Sequence, residues 1–147
     1  MTERDTSFPA LRPGTAGLCI VVVCTDANEA EQVGRLLSEV NTGCLVTYRR
    51  AEDLMFNAPS GRVALVILAA GDHPANLSRT LKWLRHRWPR CPITVIGDRG
   101  SGQYEMAARQ GGAYYLTRPV AAAQWAAILS HALGVAGTPR VDMPRSL

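Results

Sequence analysis

Arg62-Val63-Ala64-Leu65-Val66-Ile67-Leu68-Ala69-Ala70-Gly71-Asp72-His73-Pro74 is the stretch on which the reading of the fold turns. From Val63 to Leu68 it is continuously apolar and rich in β-branched residues, without the polar alternation of a half-solvated strand. Such a run fits a strand buried on both faces, in the middle of a parallel sheet. The glycine, aspartate and proline after it open into a loop. Leu18 to Val23, Leu-Cys-Ile-Val-Val-Val, is a second run of the same kind.

Between and beyond these two runs, helical and extended patterns alternate. Thr25-Asp26-Ala27-Asn28 supplies turn and capping residues. Glu29 to Val40 then places Ala30, Val33, Leu37 and Val40 at helical spacing, with Glu31, Arg35 and Glu39 facing away. Cys44 to Tyr48 reads as a short strand and Ala51 to Asn57 as a short helix. Asn76 to Trp88 reads as a helix with Leu77, Leu81 and Leu84 inside, stopped by Pro89 and Pro92. Strand Ile93 to Ile96, helix Gln103 to Gln110, strand Tyr114 to Thr117 and helix Ala121 to Leu133 complete the series. This βαβαβαβαβα order predicts an α/β domain, a five-stranded parallel sheet doubly wound by helices in the flavodoxin-like manner. Flexible segments are expected at 1–16 and 135–147, flanking one domain over 17–134.

The bulk composition agrees with one folded unit. The chain has 147 residues, 47% of them hydrophobic and 19% charged, which suits a single domain with a substantial core. No apolar run is long enough to span a bilayer, and the first residues lack the basic-then-apolar order of a signal peptide. A cytoplasmic location is the default expectation, with no membrane partner. A net charge of +4 permits acidic partners without requiring nucleic acid. Cys19, Cys24, Cys44 and Cys91 show no CxxC spacing; they read as small hydrophobes in or beside strands rather than disulfides or a zinc site.

Local details narrow the fold class. The segment Asn76 to Asp98 resembles the third-helix and fourth-strand region of bacterial response-regulator receiver domains, which are CheY-like. Gln110-Gly111-Gly112-Ala113-Tyr114-Tyr115-Leu116-Thr117-Arg118-Pro119 resembles their fifth-strand signature: Gly-Ala, an aromatic, then Thr-Lys-Pro. The resemblance covers roughly Leu18 to Leu133. It implies a receiver fold, a cis peptide before Pro119, and a site at the carboxyl ends of the strands. There receivers use an acidic pair to hold magnesium, an acceptor aspartate, a hydroxyl and a lysine.

Carried over residue by residue, that site is degenerate. The acidic pair falls on Cys24 and Thr25, with Asp26 one position later. The acceptor falls on Ala69 or Ala70, whose methyl can neither attack phosphorus nor bind a cation. The hydroxyl position falls on Gly97, followed by Asp98. The lysine falls on Arg118, which keeps the charge but not the compact ammonium. Tyr115 holds the switching aromatic position. The expectation is a pseudo-receiver: not an enzyme, with no catalytic residue, no metal and no cofactor. Its expected work is phosphorylation-independent interaction in bacterial signal transduction or transcriptional regulation, as a homodimer or docked on another regulatory protein.

Other readings compete at several positions. Asp26, Asp72 and Asp98 could form a residual ion or ligand site, against ordinary service as caps and turn formers. Gly97, Gly100 and Gly102 suggest a phosphate cradle, but their spacing matches neither a dinucleotide fingerprint nor a P-loop. Cys24 beside Arg118 could be a reactive thiol; a small strand-end residue is the plainer reading. Arg79, Lys82, Arg85, Arg87 and Arg90 with Trp83 and Trp88 read as a solvated helix face rather than a nucleic-acid surface. The segment Ala121 to Leu133 has no formally charged residue, so its outer face is expected to pack against another chain, with Tyr115, Trp125 and Ile128 in the contact.

Overall fold

A computed structural model describes residues 18–40, 44–69 and 73–137. Five strands alternate with five helices: β1 (Leu18–Cys24), α1 (Ala27–Val40), β2 (Cys44–Tyr48), α2 (Ala51–Phe56), β3 (Arg62–Ala69), α3 (Pro74–Arg87), β4 (Ile93–Gly97), α4 (Gly102–Gln110), β5 (Tyr114–Thr117) and α5 (Ala122–Gly137). All strand pairs are parallel, in the order β2-β1-β3-β4-β5. The expected α/β fold is therefore present, with β3 at the centre of the sheet.

Continuous apolar runs occur where both faces are covered. Every β3 residue from Ala64 to Ala69 and every residue of β4 is buried, as is β1 from Cys19 to Cys24. One face, carrying Val21, Val23, Val66, Leu68, Ile93 and Val95, packs on Leu54 of α2, Leu77, Leu81 and Leu84 of α3, and Ala108 of α4. The other, carrying Ile20, Val22, Leu65, Ile67 and Ile96, packs on Val33 of α1 and on Trp125 and Leu129 of α5. Truncating one of these fully buried large side chains to alanine would cost roughly 2–5 kcal/mol. The edge strands β2 and β5 are only partly covered.

Three helix boundaries depart from the sequence reading by two residues or more. Helix α1 starts at Ala27, because the Asp26 carboxylate accepts the Asn28 N–H at 2.8 Å and closes the turn. Helix α3 starts at Pro74; a proline at the first helical position has no N–H to leave unsatisfied, and His73 Nδ1 accepts from the Ala75 N–H. Helix α5 runs past Leu133 through Gly137, beyond the expected end of the domain. Ala70 and Asp72 lie outside the described residues, as do the side chains of Leu37 and Val40 and the expected terminal segments apart from 135–137. Among the described residues no helix is long and apolar enough to cross a membrane.

The basic cluster on α3 has structural uses. Arg85 donates to the carbonyls of Cys91, Gly111 and Gly112, so it holds the C-terminal end of α4 against α3. Gly112 permits this with a φ of +81°; a Cβ there would lie 3.2 Å from the guanidinium. Arg87 stacks over Trp88, which meets Trp83 edge to face at 5.8 Å. Both tryptophans pack on the core beneath α3, while Arg79, Lys82 and Arg90 are exposed.

Candidate functional site

The strand ends converge as a doubly wound sheet requires. Cys24 closing β1 is in register with Ala69 closing β3, and Gly97 closing β4 with Thr117 closing β5. Arg118 follows immediately, its N–H donating to the Gly97 carbonyl at 2.8 Å, and the Arg118–Pro119 peptide is cis, as the resemblance implied. The carried-over positions Cys24, Ala69, Gly97 and Arg118 thus share one rim.

The centre of the site is an ion pair that the sequence reading did not find. Arg118 Nε donates to Glu29 Oε2 at 2.9 Å and Nη2 to Glu29 Oε1 at 3.3 Å. Nη2 also donates to the Ala69 carbonyl at 2.7 Å, and Nη1 to Asp98 Oδ1 at 3.1 Å. The planar guanidinium fork makes this two-point grip on a carboxylate possible. Burial opposes the charge on Arg118, but the hydrogen bonds and charges of Glu29 and Asp98 outweigh it and raise its pKa. In the sequence Glu29 marks only the expected start of a helix. A first-turn acid facing a strand-end arginine was the available signal, though pairing them needs the sheet order.

Cys24 belongs to the same network. Its thiol donates to Glu29 Oε1 at 3.3 Å and to the Asp26 carbonyl at 3.1 Å. Burial, then the bond to the Glu29 carboxylate, pushes its pKa up to about 11. This placement fits the plainer reading of Cys24 as a small strand-end residue. The cation that would have stabilised a thiolate is already taken by Glu29, and Glu29 favours the protonated thiol.

The remaining residues at the rim fall into place around this pair. Asp26 turns its carboxylate onto the N-terminus of α1, and Thr25 is exposed. Asp98 is mostly exposed, its side chain 75% accessible, and reaches Arg118. Among the described residues no three His, Cys, Asp or Glu side chains are grouped as a metal site would need. Gly97 has a definite steric role: a Cβ there would collide with the Tyr115 hydroxyl and lie 2.9 Å from its ring. The ring therefore lies inward, edge to face with Tyr104 at 6.3 Å, its hydroxyl 3.5 Å from the Asp98 carbonyl.

That packing corrects the expected contact surface. Trp125 is 1% exposed and belongs to the core between α5 and the sheet, so it cannot touch another chain. An indole is the largest apolar group on a helix of small residues, and burial of its area decided which face turned inward. Tyr115 is half-buried by its inward turn, and Ile128 is half-buried. Tyr114 is the aromatic that faces solvent, at 63% exposure. With Leu116, Ile128 and His131 it lines an open groove of about 380 Å³ between β5 and α5. A second groove of similar size lies over Gly97, Asp98, Ser101, Tyr104 and Arg118.

No family model and no curated protein matches the sequence. Solved structures match the fold. A CheY-like protein (tadZ) from Pseudomonas aeruginosa aligns with a TM-score of 0.64 at 17% identity, over 78% of this chain and 98% of its own. The receiver domain of NtrX from Brucella abortus aligns at 0.58 and 22% identity, over 78% and 97%. The beryllofluoride-activated NtrC4 receiver domain dimer aligns at 0.62 and 15% identity, over 80% and 97%. The chain has the receiver fold, that of CheY-like response-regulator domains.

Proposed function

We propose that this chain is a degenerate receiver, a phosphorylation-independent interaction module of bacterial signalling or gene regulation. The Arg118–Glu29 ion pair with its bond to the Ala69 carbonyl carries the reading. It gives the rim an internal partner for the cation that would otherwise meet a phosphoryl group, at an alanine that cannot receive one. The module acts as a homodimer or by docking on another regulator. Its contact is the β5–α5 face, where Tyr114, Ile128 and the uncharged outer residues of α5 offer an apolar groove. The NtrC4 receiver domain of the same fold is a dimer when activated by beryllofluoride, which supports dimerisation as a use of the fold.

Two measurements test the proposal. Incubation with acetyl phosphate and magnesium followed by intact mass should add no phosphoryl group; an adduct removed by Asp72→Asn overturns the first half. Sedimentation across a range of concentrations should show a dimer that weakens in Tyr114→Ala and Ile128→Ala. A monomer throughout that also binds no regulator would overturn the second.

A second reading rests on the groove over Gly97, Asp98, Ser101 and Arg118, which could hold a small ligand or ion. A ligand specific for the native state must raise its melting temperature. Thermal shift against divalent ions and nucleotides decides it.

A further inference from the structure

At the opposite end of the sheet, Cys19 of β1 and Cys44 of β2 are register partners in a parallel pair. Both are free. Register and the strand alternation put them on one face of the sheet, the face that carries Val21 and Tyr48. Neighbouring strands lie about 4.8 Å apart, inside the roughly 4.4–6.8 Å Cα separation that a disulfide spans. The strand pairing thus places the two cysteines at a separation that a disulfide can bridge.

The two thiols differ in a way that divides the chemistry between them. Cys19 is buried, at 8% exposure. Cys44 is half-buried on β2, an edge strand. Interaction between the two thiols favours a single thiolate in the pair and disfavours a second. Exposure assigns the nucleophile: Cys44 is the partner that solvent reaches, and Cys19 is its buried register partner. Neither other cysteine competes: Cys24 is bound to Glu29 at the far rim, and burial pushes Cys91 up to about 12.

We propose that Cys19 and Cys44 form a dithiol oxidation site for hydroperoxides, with Cys44 the attacking sulfur and Cys19 the resolving one. The Cys44 thiolate attacks the terminal peroxide oxygen; an S–O bond forms, the O–O bond breaks, and hydroxide leaves to become water. Cys44 is then a sulfenic acid. The Cys19 sulfur gives up its proton to the departing oxygen and attacks Cys44; an S–S bond forms, the S–O bond breaks, and water leaves. Two thiols and one hydrogen peroxide become one disulfide and two waters, and an external thiol reverses the change.

The test uses the full chain, reduced, then treated with stoichiometric hydrogen peroxide, alkylated and analysed by intact mass and peptide mapping. The expected product has lost two hydrogens, joins the Cys19 and Cys44 peptides, and reverts with dithiothreitol. In Cys19→Ser, a sulfenic acid trappable by dimedone should accumulate at Cys44; Cys44→Ser should show neither product. Before oxidation, maleimide should label Cys44 at least about tenfold faster than Cys24 or Cys91. A bond to Cys24 or Cys91, or four thiols still alkylated after peroxide, would overturn the assignment. Wild-type mapping decides the matter even if a variant fails to fold, because Cys24 and Cys91 are internal comparisons.

Discussion

Replacing Arg118 by alanine tests whether the rim is held closed by an internal ion pair. The change removes the fork on Glu29, the bond to the Ala69 carbonyl and the arm to Asp98. The Asp98 arm contributes little, since that carboxylate is 75% exposed and exposed pairs are worth about 0–1 kcal/mol. The Glu29 pair is different, with side chains only 27% and 16% exposed. Losing one partner of a fully buried pair costs roughly 3–5 kcal/mol, so this partly buried one should cost about 2. The abandoned Ala69 carbonyl adds about 1 kcal/mol, water replacing part of what is lost. A total of about 2–4 kcal/mol should lower the melting temperature by roughly 8–16 °C in a domain of this size. Arg118→Lys should recover about half, because one ammonium cannot grip both carboxylate oxygens and the carbonyl together. The decisive assay is a double-mutant cycle with Glu29→Gln, in urea, followed by the fluorescence of buried Trp125. A coupling of about 1–2 kcal/mol that persists in high salt is expected for a partly desolvated pair. Coupling below about 0.3 kcal/mol would refute the reasoning, because Arg118 and Glu29 would then not be paired in solution.

Three further outcomes follow from the same geometry. Gly97→Ala should drive the Tyr115 ring outward at a cost of about 1–2 kcal/mol; an unchanged Tyr104–Tyr115 ring contact by NMR would contradict the steric role of Gly97. Arg85→Ala should cost about 1–2 kcal/mol and speed amide exchange at Gly111 to Ala113, where its carbonyl partners lie. Cys24, raised to about 11, binds its proton more tightly folded than unfolded. Its contribution is complete below the unfolded value of about 8.5 and is lost as pH rises toward 11. Stability should therefore fall across that alkaline range, and less steeply in Cys24→Ser, which keeps a donor to Glu29 without the titration; equal slopes would refute it.

The sheet was legible because its central strands are apolar on both faces. Leu18 to Val23 and Val63 to Leu68 have little choice but to lie inside, and the intervening helical patterns then dictate parallel crossovers. The site was legible only as a set of positions. Cys24, Ala69, Gly97 and Arg118 follow from where strands end, but the bond between Arg118 and Glu29 joins residues 89 apart in the chain, and no local pattern announces it. Trp125 misled for the opposite reason. Its helix lacks charges on every side, so charge could not mark the outer face, and only packing volume turned the indole inward.

The residues at the rim form a connected series. The absence of a side chain at Gly97 gives the Tyr115 ring its inward place, with its hydroxyl on the Asp98 carbonyl. The Asp98 carboxylate meets Arg118, Arg118 meets Glu29, and Glu29 accepts from Cys24. A path of direct contacts thus runs from β5, beside the proposed docking face, to the first turn of α1. Each group in it has its partner within the protein, so no incoming ligand is needed to complete the arrangement. Such contacts fit the proposed constitutive binding role, because a switch needs a second state that a ligand can favour by several kcal/mol. Breaking the series at Arg118 and breaking it at Gly97 should therefore alter the same β5–α5 face, although neither residue lines its groove.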